Sequence, residues 1–523
     1  MVDMELERKY VTLNHKRGRA VSQVTLEEDL NVPDQKPDIF RIVHKQGEFL
    51  ADEVKGEAGK VKVRGIFLYR ILYIAEGSER MPELLEGSIP VDETVFLNDM
   101  EESDSVDFHW EMEDLHVSAI HSRKTNIKSV LSLSIEALKE QPVPLMVSPE
   151  KTDDLYVKTC PVRLQQEVIH KKDTIRIREE INLPPGRPNI RRLIWKETRL
   201  QNTEVRQEEG RLRVKGELIV FFLYECEDEP GRLQWLEQGL PFHQEIACEA
   251  CHSDLSGKAE VSLQRADLEL QADYDGEPRT VRVDGVLELL MRYFEEMTSE
   301  VLCDAYSLTK EIVPKTERYP WDFVQGISDS RARVGGRMKL KETEPGILQI
   351  LSTGARLHLE HTQSNEQGVL TQGMVELWVL YTTSDDSQPL ACATQAFPFE
   401  HVAELQKGSQ DCDWQIFLCL DQLNVAMLDA RELEMKAVLQ MQAIFTQKEE
   451  LMVVEDLTEA PLDMERIRRM PGMVIHVVQP GETLWDISKA HATSCEAVTE
   501  LNELKEEPLK AGQKILLVKE VAK

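Results

Sequence analysis

Hydrophobic and polar residues alternate along this chain over long stretches, and three of these stretches are versions of one another. Lys62–Tyr73 reads KVRGIFLYRILY, Arg213–Tyr224 reads RVKGELIVFFLY and Leu370–Tyr381 reads LTQGMVELWVLY. Every second residue after the glycine is apolar: Phe67, Tyr69, Ile71 and Tyr73, then Leu218, Val220, Phe222 and Tyr224, then Val375, Leu377, Val379 and Tyr381. The intervening positions are mixed, with Arg64 and Arg70, Lys215 and Glu217, Gln372 and Glu376. A period of two, rich in aromatic and β-branched residues, predicts a strand with one face in a core. The glycine at one fixed place, Gly65, Gly216 and Gly373, predicts a bulge or a close backbone approach.

Other landmarks keep step with the glycines. Pro37, Pro188 and Pro345 precede them at one offset, and Pro90, Pro241 and Pro398 follow at another. Landmarks held in three copies make the repeat the architecture. The expected fold is mainly β, with three repeated β-sandwich-like units at residues 7–138, 162–307 and 310–457. The proline-bearing stretch Glu140–Pro161 between the first two is expected to be a connector without regular structure.

Beyond a charged linker the pattern changes. Val474–Val518 reads VIHVVQPGETLWDISKAHATSCEAVTELNELKEEPLKAGQKILLV. Ile475–Val478 predicts a strand and Pro480-Gly481 a turn. Thr483 with Asp486 caps one helix, and Thr493 with Glu496 caps a second, before Gly512 turns the chain into a strand at Lys514–Val518. That is a small βααβ domain, residues 473–519, with Trp485 and Ile487 expected in its core.

The chain carries 62 Lys and Arg against 94 Asp and Glu, a formal charge of −32. This argues against a nucleic-acid or anionic-membrane partner, since both want a basic face. No apolar run approaches the ~20 residues needed to span a bilayer, and the first residues lack the apolar core of a secretory signal. The expected compartment is the cytoplasm.

Candidate chemistry is sparse. Of nine cysteines, most lie in apolar stretches and are expected to be free thiols. Cys248, Cys251 and His252 spell the CxxCH of c-type haem attachment, but only the second unit has it, and an incidental loop is the expectation. His358 and His361, three apart in an alternating stretch, are expected on opposite strand faces. The acidic pairs Glu101-Glu102 and Asp385-Asp386 read as solvated turns. No GxSxG, P-loop, HExxH or Rossmann fingerprint occurs, so the expectation is a protein that is not an enzyme and carries no cofactor or metal.

The segments HVVQPGETLWDI, LNEL and LKAGQKILL closely resemble the LysM domain. That resemblance implies binding of N-acetylglucosamine polymers, peptidoglycan or chitooligosaccharide, in a groove between two loops. Carried onto this chain, the first loop is Gly481, Glu482, Thr483 and Leu484. The second is Leu509, Lys510, Ala511, Gly512 and Gln513, with Leu504 and Lys505 on its approach. Ala511 stands where the family usually has proline, and Lys505-Glu506-Glu507 makes the second loop unusually charged.

The whole arrangement, three β-units with the NLP–P and G–Y landmarks and one terminal LysM domain, resembles spore-coat morphogenetic proteins of the SipL type of clostridia and, more loosely, the SpoVID type of bacilli. It implies a mother-cell scaffold at the forespore surface, with a SpoIVA-like coat-basement ATPase as partner. The alternative class is a wall-associated, peptidoglycan-binding protein.

Overall fold

The computed structural model describes residues 6–77, 80–149, 155–229, 231–385, 387–405, 411–504 and 509–520. The first unit is six antiparallel strands: β1 (Leu6–Asn31), β2 (Ile39–Glu57), β3 (Lys60–Ala75), β4 (Pro82–Phe96), β5 (Ser105–His121) and β6 (Lys124–Pro149). They form two three-stranded sheets, β2-β3-β4 and β1-β6-β5. Apolar residues of both sheets close one core, with Val63, Phe67 and Ile71 from the first and Leu131, Leu133 and Ile135 from the second. The second unit repeats this with β7 (Leu155–Asn182), β8 (Ile190–Glu208), β9 (Arg211–Cys226), β10 (Leu233–Ala247), β11 (Ser256–Gln271) and β12 (Thr280–Ser307). The third uses β13 (Lys310–Lys339), β14 (Ile347–Ser364), β15 (Gly368–Thr383), β16 (Leu390–Glu404), β17 (Asp413–Met427) and β18 (Glu432–Pro461). Three β-sandwiches in series are the architecture.

The landmarks explain how a sandwich is pinned. The cassettes are the central strands β3, β9 and β15. At Gly65 an added Cβ would lie 2.2 Å from the Leu50 carbonyl oxygen, and at Gly373 one would lie 2.2 Å from that of His358. The register slips beside each cassette glycine, at Ala51/Glu53, Gln201/Glu204 and Leu359/His361. Each glycine thus lies beside a bulge on the neighbouring strand. At Gly65 and Gly373 that backbone comes in where no side chain fits, and at Gly216 the space is taken by the Phe242 ring and the Thr203 methyl. Pro90, Pro241 and Pro398 lie on β4, β10 and β16, edge strands that can spare an N–H. Pro37 and Pro345 offer their carbonyls to Tyr73 and Tyr381, at 3.0 and 3.1 Å.

Two strands of each unit run on past the sandwich as a ribbon. Leu6–Lys16 pairs with Leu138–Pro149, the start of β7 with the end of β12, and the start of β13 with the end of β18. The expected connector is therefore strand up to Pro149, in β6, and strand again from Leu155, in β7. Beyond Leu138, β6 pairs, among the described residues, with β1 alone. Pro142 and Pro144 pair with Thr12 and Tyr10, two apart and so with their nitrogens on one side, and a strand with a single sheet partner tolerates proline on its free edge. The three ribbons pack on each other through Val11, Leu13, Val143, Leu145, Leu164, Val301, Trp321, Phe323, Leu451 and Val453. Together they make a stalk.

The sandwiches also share a hub. Leu72, Leu223 and Leu380, which hold the same place in the three cassettes, are buried in one cluster with Val43, Ile194 and Leu351, again equivalent positions. The outer cassette face is thus mixed near the glycine and apolar near the tyrosine, where the units meet. Beside it, His44, Trp195 and Ser352 stand at one offset ahead of their glycines, and all three reach Glu197. Trp195 Nε1 donates to its Oε1 at 2.7 Å, Ser352 Oγ to Oε2 at 2.6 Å, and His44 Nε2 lies 3.6 Å away. Gln46 Nε2 donates to the same carboxylate at 3.0 Å. One buried carboxylate is held by side chains from all three units, as around a pseudo-threefold axis.

Candidate functional site

The last domain consists of β19 (Met473–Val477), α2 (Leu484–Ala490), α3 (Cys495–Leu501) and β20 (Lys514–Val518), preceded by the short helix α1 (Met464–Arg469). Thr483 caps α2 in a full capping box with Asp486. The cap of α3 is Ser494, not Thr493. The core is Val478, Leu484, Ile487, Val498, Ile515 and Leu517. Strand, two helices and strand are the expected βααβ order.

The two expected groove loops are tied to each other. Val478 N donates to Gln513 O at 2.9 Å and Gly512 N to Val478 O at 2.8 Å, which sets the turn after β19 against the turn before β20. Gly481 and Gly512 both have positive φ, +88° and +85°, so both turns need glycine. Glu482 accepts from Gln479 N at 2.7 Å and from His476 Nε2 at 2.8 Å, and these bonds hold its carboxyl below the usual range. Thr483 is spent on its cap, and Leu484 is 7 % exposed in the core. Leu504 and Leu509 pack on the core edge. Lys510 N donates to the Gln513 side chain at 3.2 Å. Gly481, Lys510, Ala511 and Gly512 are exposed and Gln513 is half-buried. Lys505 lies outside the described residues. The exposed rim of the loop pair is therefore Gly481, Thr483, Lys510, Ala511 and Gly512, with the Thr483 hydroxyl engaged in its cap.

Trp485 has a different place from the one expected. Ile487 is in the core, but the Trp485 indole leaves it and lies edge-on to Tyr306 of β12, centroids 4.8 Å apart. Its Nε1 donates to Asp304 Oδ2 at 2.8 Å, and Lys489 Nζ reaches both Asp304 oxygens at 2.6 and 2.7 Å. Tyr306 Oη donates to Thr493 O at 3.0 Å and its ring stacks on Tyr156. A tryptophan on a short helix reads as core in a sequence, since nothing local reveals a neighbouring domain. The clamp fixes this domain on the stalk, with the groove loops on its exposed side.

Other expectations change in detail. Cys248 and Cys251 are disulfide-bonded to each other in a turn where Cys251 N donates to Cys248 O, while Cys160, Cys226, Cys303, Cys392, Cys412, Cys419 and Cys495 are free. His358 and His361 face Met374 and Gln372, two apart, because the bulge between them restores one face. His358 bonds Glu111 of the first unit at 3.1 Å and lies 3.8 Å from Glu376, and these carboxylates push its pKa up to about 9. Glu101 and Glu102 are exposed, whereas Asp104 of the same acidic turn is buried against Arg17. Asp386 lies outside the described residues.

One cluster has the outline of a nucleophile, a base and an orienting acid: Cys392 Sγ lies 3.3 Å from His44 Nδ1, with Glu197 beyond the ring. Burial pushes this thiol far up, and it pushes His44 down to about 4. The pair is a thiol and a neutral imidazole that join the third unit to the first.

Compared with known families, residues 476–518 match the LysM domain. Residues 38–120, 189–271 and 346–428 each match the SipL, SPOCS domain. Each SPOCS match runs from the start of the second strand of its sandwich to the end of the fifth, so the first and sixth strands, which also form the ribbon, lie outside it. No curated protein and no solved structure matches the chain.

Proposed function

Three SPOCS domains of the SipL type and one LysM domain make up this sporulation-related protein, and on that premise we propose that it is a non-enzymatic scaffold of spore-coat assembly. In this reading it acts in the mother cell at the forespore surface, its LysM domain binds a SpoIVA-like coat-basement ATPase, and the SPOCS units hold that domain in place. The observation that carries the reading is the clamp of Asp304 and Tyr306 on Trp485 and Lys489. It makes the LysM domain one end of a single body with a shared hub, as a scaffold that sets distances requires. The contact surface proposed for the partner is the loop pair Gly481–Leu484 and Leu504–Gln513, Lys505 included.

The second reading, a protein that binds peptidoglycan through the same loops, is favoured by the LysM match and by the two positive-φ glycines at the groove. One experiment separates them. The full chain and its Lys510→Glu and Gly512→Val variants are tested for binding to the SpoIVA-like ATPase of the same organism and to insoluble peptidoglycan. Binding of wild type to the ATPase, lost in the variants, supports the scaffold. Binding to peptidoglycan alone supports the second reading and rejects the first.

A further inference from the structure

The LysM sheet has two strands and therefore two edges, which the chain treats differently. On the β20 side, Asn502 closes the edge: its Nδ2 donates to Leu516 O at 2.7 Å and its Oδ1 accepts from Leu516 N at 2.7 Å. On the β19 side, among the described residues, no side chain does this for Met473 and Ile475. Lys519 N bonds Gly472 O and Val478 N bonds Gln513 O. Gly472, Val474, His476 and Val478 therefore turn their backbone groups towards β20, and Met473, Ile475 and Val477 turn theirs outward. Gln479 Nε2 takes the Val477 carbonyl at 2.9 Å.

The same three residues carry exposed apolar side chains side by side, while Leu501 on α3 is exposed elsewhere in the domain. Met473 is 63 % exposed, Ile475 66 % and Val477 42 %. Val518 lies across from Met473 and Leu516 from Ile475, which widens the strip. The clamp to the stalk uses α2 and the turn after it, so it leaves this face in solvent. An open edge beneath an apolar face is a template for another strand.

We propose that the occupant is the β19 of a second copy of this chain, paired antiparallel about a twofold axis through Ile475. The register allows it. With Ile475 of one copy opposite Ile475 of the other, Met473 faces Val477, and all the outward-turned residues of one strand meet outward-turned residues of the other. The result is a four-stranded sheet with one continuous apolar strip. Charge also singles out this face: each chain carries −32, yet Met473, Ile475, Val477, Leu516 and Val518 are uncharged, and the charged residue beside them, Lys514 across from Val477, is a cation. It is a face on which two acidic chains can meet without opposing carboxylates. A five-residue edge is a small interface, so association is reversible, with a dissociation constant of order micromolar.

Sedimentation velocity of the full chain tests this, from about 1 to about 100 μM and at low and high salt. A monomer–dimer equilibrium is expected that tightens with salt, as screening removes the repulsion between the chains. Ile475→Lys puts a charge on the axis and Ile475→Pro removes the edge N–H. Each is expected to weaken the dimer at least tenfold, with an unchanged circular dichroism spectrum for Ile475→Lys guarding against misfolding. A wild-type chain that stays monomeric throughout overturns the proposal, including one whose β19 edge binds some other strand. So does a dimer that Ile475→Lys leaves intact. Neither readout involves the ATPase or the glycan.

Discussion

The hydroxyl of Tyr73 donates to the carbonyl of Pro37 across 3.0 Å, and Tyr381 does the same to Pro345 at 3.1 Å. The last residue of the cassette thereby holds the turn that starts the sheet, and the shared spacing of proline and tyrosine in the repeats becomes one bond. In the second unit the Tyr224 hydroxyl is buried with no hydrogen-bond partner. Tyr73→Phe and Tyr381→Phe are expected to cost about 1–2 kcal/mol each, since each strands a carbonyl. Tyr224→Phe should cost under about 0.5 kcal/mol. Urea midpoints of the three variants check the order, and equal losses would refute the assignment.

Glu197 takes bonds from Gln46, Trp195 and Ser352 at the hub. Glu197→Ala leaves three donors unpaired and is expected to cost roughly 3 kcal/mol or more. Ser352→Ala removes one donor and should cost about 1 kcal/mol. Hydrogen exchange should quicken in β2, β8 and β14 together. Quickening confined to β8 would mean that the units do not depend on this carboxylate.

Two histidines between the units give stability opposite pH limits. His358, beside Glu111 and Glu376 with Arg356 opposing, has its pKa raised from 6.5 to about 9. Its contribution is full below about pH 6.5 and is lost as the pH rises through 9. The pair is partly exposed, so solvent screening holds it under about 1 kcal/mol. His44 is lowered from 6.5 to about 4 because burial outweighs Glu197, with Arg356, Lys45 and Arg70 adding to the shift. Its contribution is present above about pH 6.5 and is lost as the pH falls towards 4, by about 1.4 kcal/mol per unit. Thermal unfolding against pH should show His358→Gln flattening the alkaline limb alone. A flattened acid limb instead would reverse the assignment.

Asp304→Ala should release the LysM domain while leaving both parts folded. Limited proteolysis between Pro461 and Met473 is expected to speed up several-fold, and Trp485→Ala should do the same. Unchanged cleavage in both variants would show that the clamp does not hold the domain.

Much of this was legible because strands and repeats write themselves locally. The alternation of the cassettes gave the central strands, and the glycine gave the bulge beside Gly65. The βααβ order followed from the caps at Thr483 and the turn at Gly512. What was hidden depends on contacts between distant segments. Pro142 and Pro144 look like breakers until that stretch is seen to pair in a sheet with β1 alone. Trp485 looks like core until Tyr306 comes to meet it. His358 and His361 change relation because a bulge, invisible in a three-residue spacing, lies between them.

The ribbons have a consequence for copy number. Each sandwich receives the chain and returns it at the same end, and the gaps between ribbons, Pro149 to Leu155 and Ser307 to Lys310, are short. A whole sandwich could in principle be duplicated or deleted without threading the chain through anything. The hub forbids it. His44, Trp195 and Ser352 occupy equivalent places but are three different residues around one carboxylate, so the ring closes with three members in one cyclic order. The stalk makes the repeat easy to multiply, and the hub sets its number at three.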